Sequence, residues 1–350
     1  MEEKASERTQ GRLAKQILIL LAIAMAFAAF HISVYFLLTR RLANNFSDVT
    51  QLKMTDVGSY LPHDPDAKLV RIDSSLKLTE DLPVLDGAAA LLPVYAAFVD
   101  AVYPAGSVTY EGGTFSDDNY YGENFAPDSS MQYHNTVRGY QAIVDGETDL
   151  FFSVKPSAEQ AAYAKQQGVE LVYVPIGREA FVFFVNEKNP VEGLSTAQIR
   201  SIYSGEIRNW KEVGGPDRVI NPVSRVEGSG SQSAMNAFMG ERKTGRKSPF
   251  AVTGASLGFS FRYYLEDMVG NGGVKMLSVN EIYPDEENIR SGLYPITTEF
   301  YAIFRKDNPN PNIPVLVDWI LSEEGQRIIE ETGYVGIQGE KNAFVGRDVL

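Results

Sequence analysis

The segment Ser224–Phe238, SRVEGSGSQSAMNAF, sets one guanidinium, two glycines and a run of serine hydroxyls directly ahead of a helical pattern. A helix start has four backbone N–H groups without helical acceptors and about half a positive charge. Small residues let an anion approach those groups closely, and glycine also permits φ > 0. Gly228 and Gly230 meet that need, and Ser229 and Ser231 add hydroxyl donors. Arg225, at the end of the preceding strand-like VINPVSR, offers a planar, permanently charged fork to an oxyanion. The pattern therefore reads as a strand, an arginine, a small polar loop and a helix, built to hold a small anion. The alternative is a plain glycine-rich turn closed by a serine cap. It is not a P-loop, which ends in Gly-Lys-Ser/Thr, and not a Gly-x-Ser-x-Gly nucleophile elbow.

Two further segments have related chemistry. LDGAAALLPVYAAF passes from a strand through Gly87 into a helix, so the amides of Ala89 and Ala90 are candidate donors. YHNTVRGYQAIVDG puts Asn135 or Thr136 at a cap position, where Thr136 serves as an N-cap or touches a ligand. Several helix starts of this kind can converge on one anion in a cleft.

The elements that must position these loops follow from Leu82 onward. Short apolar runs alternate with helical stretches: LPVLDG then PVYAAFVDAVY, DLFFSV then AEQAAYAKQQG, then ELVYVPI. This alternation predicts an α/β domain with a largely parallel sheet. EAFVFFVNEKNP, 179–190, reads as a separate strand ending at a turn, and TTEFYAIFRK as a late one. STAQIRSIYSG predicts a short helix from a Ser or Thr cap to Gly205, and PVLVDWILSEEGQRIIEETG a final helical region ending at Gly333. The acidic stretch 116–124 lacks the spacing of a calcium loop and reads as a solvated turn.

Composition narrows the function. Among 350 residues there is no cysteine, which excludes disulfides, thiolate metal sites and a cysteine nucleophile. Three histidines, His31, His63 and His134, make a histidine-built metal site a poor expectation, and no cofactor is implied. A net charge of −13 argues against nucleic acid as a partner, but leaves room for an anion held by local donors. A serine hydrolase would need a positioned base, with His134 the one candidate near a cleft loop.

Residues 17–38, ILILLAIAMAFAAFHISVYFLL, carry no formal charge with His31 neutral. At ~1.5 Å per residue they span a hydrocarbon core of ~30 Å. Lys4, Arg8, Arg12 and Lys15 precede them, which favours a cytoplasmic N-terminus (1–16), a membrane anchor (17–38) and an exported remainder. A cleaved signal peptide is the alternative, although its apolar core is normally shorter. Residues 39–80 read as a stalk.

LSTAQIRSIYSGEIRNWKEVGG, 194–215, and VSRVEGSGSQSAMNAF, 223–238, together resemble the substrate-binding proteins of phosphate-uptake ABC transporters, the PstS-like group of periplasmic-binding-protein folds. Weaker likeness extends in order from about Leu82 to Val335. The resemblance implies a two-lobed type II fold, with lobe one from 81–178 plus 297–350 and lobe two from 179–296. It implies ligand contacts at Arg225, Ser229, Gly230 and Ser231, with Gly87, Ala89 and Ala90 on a first anion loop and Thr136 near a second. It also implies an ABC permease as partner and no bond chemistry; with the apolar N-terminal span, the expectation is a single-pass protein of the cell membrane with its C-terminal part extracytoplasmic. Two positions depart from the family pattern. Ala88, Ala89 and Ala90 lack the usual hydroxyl. Where an aspartate is usual after the strand end TDLFF, the chain reads Ser153-Val154-Lys155, with Ser153 a contact candidate and Lys155 an alternative source of positive charge. A carboxylate there would select a protonated oxyanion. An anion-sensing or assembly domain on the same fold, without transport, is the second expectation.

Overall fold

The computed structural model describes residues 2–43, 56–112, 124–225, 227–244, 255–268 and 273–337. The acidic stretch 116–124 lies outside these residues except for Asn124, as does most of the stalk's first half. Helix α1 (Glu2–Ala43) contains the apolar stretch Lys15–Tyr35, long and apolar enough to cross a membrane and unburied by the rest of the chain. From Asp56 to Val84 the chain runs over the first lobe with one short 3₁₀ turn, Val57–Tyr60.

The chain then alternates: β1 (Leu85–Gly87), α2 (Leu92–Val102), β2 (Tyr110–Gly112), β3 (Asn124–Phe125), α3 (Asn135–Asp145), β4 (Leu150–Ser153) and α4 (Ala158–Gln166). Next come β5 (Leu171–Asn186), β6 (Gly193–Leu194), α5 (Thr196–Ser204), β7 (Asn221–Pro222), α6 (Gly230–Met239) and β8 (Ser256–Phe261). The last elements are β9 (Val274–Met276), β10 (Ser278–Val279), α7 (Glu286–Arg290), β11 (Thr297–Arg305), α8 (Asn312–Ile320), α9 (Glu323–Glu331) and β12 (Val335–Gly336). The main sheet runs β1-β4-β11-β5-β8-β7, with β9 and β12 also pairing β5.

The sheet is mixed, a correction to the parallel expectation. β1–β4 and β7–β8 are parallel, but β11 pairs antiparallel with both β4 and β5, and β8 and β9 are antiparallel to β5. Late strand β11 enters the middle of the sheet, a long-range pairing that alternation along the chain does not reveal. The strands expected at ELVYVPI and EAFVFFV are one strand, β5. Its register shifts opposite Phe300 and Tyr301, where Pro175 and Gly177 sit. Pro and Gly are tolerated in a strand at such a bulge. A Cβ on Gly177 would come within 2.3 Å of the Phe300 ring, so glycine is what lets that ring lie on the strand.

Helix boundaries follow local chemistry. Ser157 with Gln160, and Ser195 with Gln198, form reciprocal capping boxes on α4 and α5. Gly205 ends α5 in the left-handed region. The expected final helix is two, α8 and α9, broken at Leu321–Ser322.

Burial separates the lobes. Phe98, Phe152, Leu316 and Ile328 lie in one core, with Tyr140, Ile143 and Phe151 forming a smaller core on the other face of the same strands. Phe181, Phe183, Trp210, Met235 and Phe259 belong to another. β5 serves both: its first half pairs β11 and its second half pairs β8 and β9.

At the passage between them lies Glu179, almost wholly buried. Its carboxylate accepts from Ala180 N at 2.7 Å and Tyr263 N at 3.3 Å. Arg262, after β8, brings Nε to 3.8 Å from Glu179, donates to Glu266 at 3.0 Å and also to the Gly333 carbonyl. Burial raises the Glu179 pKa to about 7, against the opposing pull of Arg262. Between the ordinary carboxylate value and about 7, the native chain holds a proton that the unfolded chain has released. The resulting stability is complete below the unfolded pKa and lost as pH rises through the folded one. Unfolding of the full chain in detergent, from pH 4.5 to 8, is expected to show Glu179→Gln gaining on the wild type as pH rises. The gain is on the order of 3 kcal/mol. A pH-independent difference would refute this role.

Candidate functional site

The glycine-serine loop is the start of α6. Gly228 takes φ 78°, a left-handed conformation that glycine adopts without strain. Ser229 is the N-cap, its hydroxyl accepting from Gln232 N at 3.3 Å. Gln232, 2% exposed, uses its own carbonyl oxygen to take Arg225 N at 2.8 Å. Its amide reaches Asn236, which in turn donates to Glu227. The sequence placed Arg225 on a strand end, but β7 stops at Pro222, and Gln232 clamps the loop carrying Arg225 onto the first turn of α6. The Ser229-x-x-Gln232 spacing was visible as a capping-box pattern; that the glutamine turns to Arg225 instead of the cap backbone was not.

Across from this loop stand the starts of α3 and α4 in the other lobe. A methyl group placed on Gly230 would lie 3.5 Å from Val154 Cγ2, 3.6 Å from Thr136 Oγ1 and 3.7 Å from the Phe261 ring. Thr136 and Gly230, far apart in sequence, are therefore neighbours. Gln160 joins the same three segments. Its Oε1 accepts Ser157 N at 2.8 Å, and its Nε2 donates to Gly228 O at 3.2 Å and Thr136 O at 3.4 Å. The one local sign of Gln160 in the sequence is the Ser157-x-x-Gln160 spacing; its two bonds to distant carbonyls leave none.

The first loop is organised differently from expectation. Gly87 N donates to Asp86 Oδ1, Ala88 N to Phe152 O, and Ala89 N to Asn135 Oδ1 at 3.2 Å. The Ala89 amide, expected to face a ligand, is engaged within the chain. Ala90 O accepts from the Tyr334 hydroxyl. Gly87 is required by packing, since a Cβ there would come within 2.5 Å of the Tyr95 ring. The loop is tied to α3 through Asp86, fully buried, which accepts from His134 N at 2.9 Å and lies 2.8 Å from His134 Nδ1. Burial pulls the His134 pKa down, but the hydrogen bond and charge of Asp86 outweigh it, and the net shift is upward. His134 is thereby a structural partner of Asp86, and no described contact sets it beside a serine hydroxyl as a base.

The other candidates are placed as follows. Ser153, at the end of β4, is fully buried and its hydroxyl has no hydrogen-bond partner among the described residues. Val154, at the departing position, is an apolar neighbour of Gly230 rather than an acceptor. The Lys155 ammonium lies over the Tyr301 ring, 5.8 Å from the centroid. Ser231 lies in the first turn of α6, half-buried. Among the described residues no cluster of His, Asp or Glu has the makings of a metal site.

A two-lobed α/β molecule whose lobes meet over facing helix starts has the architecture of a periplasmic-type binding protein. Residues 124–324, more than half of the chain, match the PBP superfamily domain, and the chain belongs to that family. It is similar to the phosphate-binding protein PstS of Borreliella burgdorferi, 28% identical over 179 residues that cover 46% of this chain and 64% of that protein. It is also similar to PstS of Bacillus subtilis, 25% identical over 213 residues covering 57% and 66%. Protein SphX of Synechococcus elongatus is 24% identical over 296 residues, covering 72% and 86%. The chain thus spans just under two thirds of the two PstS relatives. In fold it is similar to a crystal structure from Clostridium perfringens described as a phosphate ABC transporter substrate-binding protein with bound phosphate. That likeness has a TM-score of 0.54 and 24% identity, and covers 75% of this chain and 100% of the other.

Gln160→Ala removes one partner of the α4 capping box and both bonds to Thr136 and Gly228. The expected cost is about 1–3 kcal/mol of unfolding free energy, read by denaturant titration of the full chain. An unchanged midpoint would mean the three segments are held together without it.

Proposed function

We propose that the chain is a membrane-anchored, extracytoplasmic binding protein that captures phosphate or a related small oxyanion for an ABC importer. The observation that carries this is the apposition of the α6 start, with its Arg225-clamped glycine-serine loop, to the α3 start at Thr136. Helix starts from both lobes supply partial positive charge and N–H donors to one place, as small-oxyanion recognition requires. Arg225 provides the full charge and Ser229, Gly230 and Ser231 the near donors, with Thr136 facing them. The names of the PstS relatives and the phosphate in the structural neighbour support the ligand class. The action is capture by lobe closure without bond making, the lobes being 81–178 plus 297–350 and 179–296 and their hinge the Glu179 passage. The apolar stretch Lys15–Tyr35 of α1 supports the membrane anchor proposed for 17–38, which would hold the binding domain at the membrane surface where a permease lies.

A second reading is an anion-sensing or assembly domain without transport. It is favoured by the first loop, whose amides at Gly87, Ala88 and Ala89 are already engaged. Co-purification of a permease, against that of a signalling partner, separates the two.

Calorimetric titration of the full chain with phosphate, sulfate and molybdate is expected to show binding of at least one. Arg225→Ala should weaken it by ~1.5–3 kcal/mol, the range for a charge-assisted contact. Absence of binding to all three anions would overturn the proposal, and an unchanged dissociation constant would remove Arg225 from the site.

A further inference from the structure

Asn135 has φ 56°, in the left-handed region that asparagine tolerates better than most residues. In that conformation its carboxamide oxygen lies 2.7 Å from Thr136 N, 3.2 Å from Ala89 N and 3.4 Å from Thr136 Oγ1. Two segments of one lobe therefore aim three donors at a single oxygen. A neutral carbonyl oxygen has two lone pairs, so the third donor is poorly matched; an oxyanion, with more acceptor capacity, suits such a set better. The donors also lie beside the other lobe, since Thr136 Oγ1 is the atom near Gly230.

We propose that Asn135 Oδ1 occupies the acceptor position of the first lobe's half-site, so that an oxyanion binds by displacing this side chain. The inference rests on the binding reading above and adds the residue that sets its affinity. The displacement is local. His134 is pinned to Asp86 through both backbone N and ring Nδ1, so the Asn135 side chain turns away without moving the strand or helix beside it. Ala89 and Ala90 have no side-chain hydroxyl to compete for the vacated position. Asn135 thereby makes any ligand compete with an internal acceptor, which lowers affinity without removing a donor.

The test is calorimetric titration of the full chain in detergent with inorganic phosphate and with sulfate, for wild type, Asn135→Gly and Asn135→Asp. Glycine keeps the left-handed backbone and releases all three donors. Asn135→Gly is expected to bind the preferred anion at least about tenfold tighter than wild type, one donor set regained. Asn135→Asp puts a fixed negative charge on the same donors and is expected to bind at least about tenfold more weakly, while its thermal midpoint rises through the helix-start interaction. If wild type binds and Asn135→Gly binds no tighter, this inference falls and the binding reading stands. If neither wild type nor Asn135→Gly binds either anion, this inference falls and the binding reading is decided by the molybdate titration. Should Asn135→Gly fail to fold, Asn135→Asp decides: weaker binding supports the competition, and equal binding overturns it.

Discussion

Every helix begins with N–H groups that need an acceptor from outside the helix, and this requirement organises the space between the lobes. α6 meets it with Ser229, α4 with the reciprocal pair Ser157 and Gln160, and α3 with the carboxamide of Asn135. Two of these solutions reach beyond their own helix. Gln160 extends to the Gly228 and Thr136 carbonyls, and Asn135 to the Ala89 amide. Local capping chemistry thus becomes the means by which three separate loops are set in register. A donor set poised in this way stabilises an anion strongly where water is excluded, and is costly to leave unmatched.

The second constraint is mechanical. One strand, β5, runs through both cores, and Glu179 sits where it leaves the first for the second. Its carboxylate takes N–H groups on either side of the passage and faces Arg262. A buried acid and a buried guanidinium at a crossing point fix its geometry more than they add to stability, because desolvation offsets most of their attraction. Tyr263, just after β8, donates its N–H to Glu179, and the Gly333 carbonyl, just before β12, accepts from Arg262.

Much of this was legible locally. The Arg-x-x-Gly-Ser-Gly-Ser run, the Ser195–Gln198 box and Gly205 each encode one conformation through residues within a few positions of one another. ELVYVPI and EAFVFFV read as two strands because Pro and Gly normally interrupt a strand, whereas a partner strand with a bulge opposite Pro175 and Gly177 absorbs both. The amide of Ala89 looked available because nothing near it in sequence competes; the competitor, Asn135, is 46 residues away. Lys155 looked like a charge for the loop; the Tyr301 ring beneath it belongs to a strand nearly 150 residues on.

The sequence by itself determined the apolar N-terminal stretch, the alternating elements, the helix ends and the chemistry of the loop around Arg225. These depend on residue type and short spacing, which the chain carries with it before it folds. The tertiary structure alone decided the mixed sheet, the meeting of Gly230 with Thr136, the clasp of Gln160 and the occupation of the first lobe's donors by Asn135. Those contacts join residues distant in sequence, and no local pattern records which distant partner a donor will find.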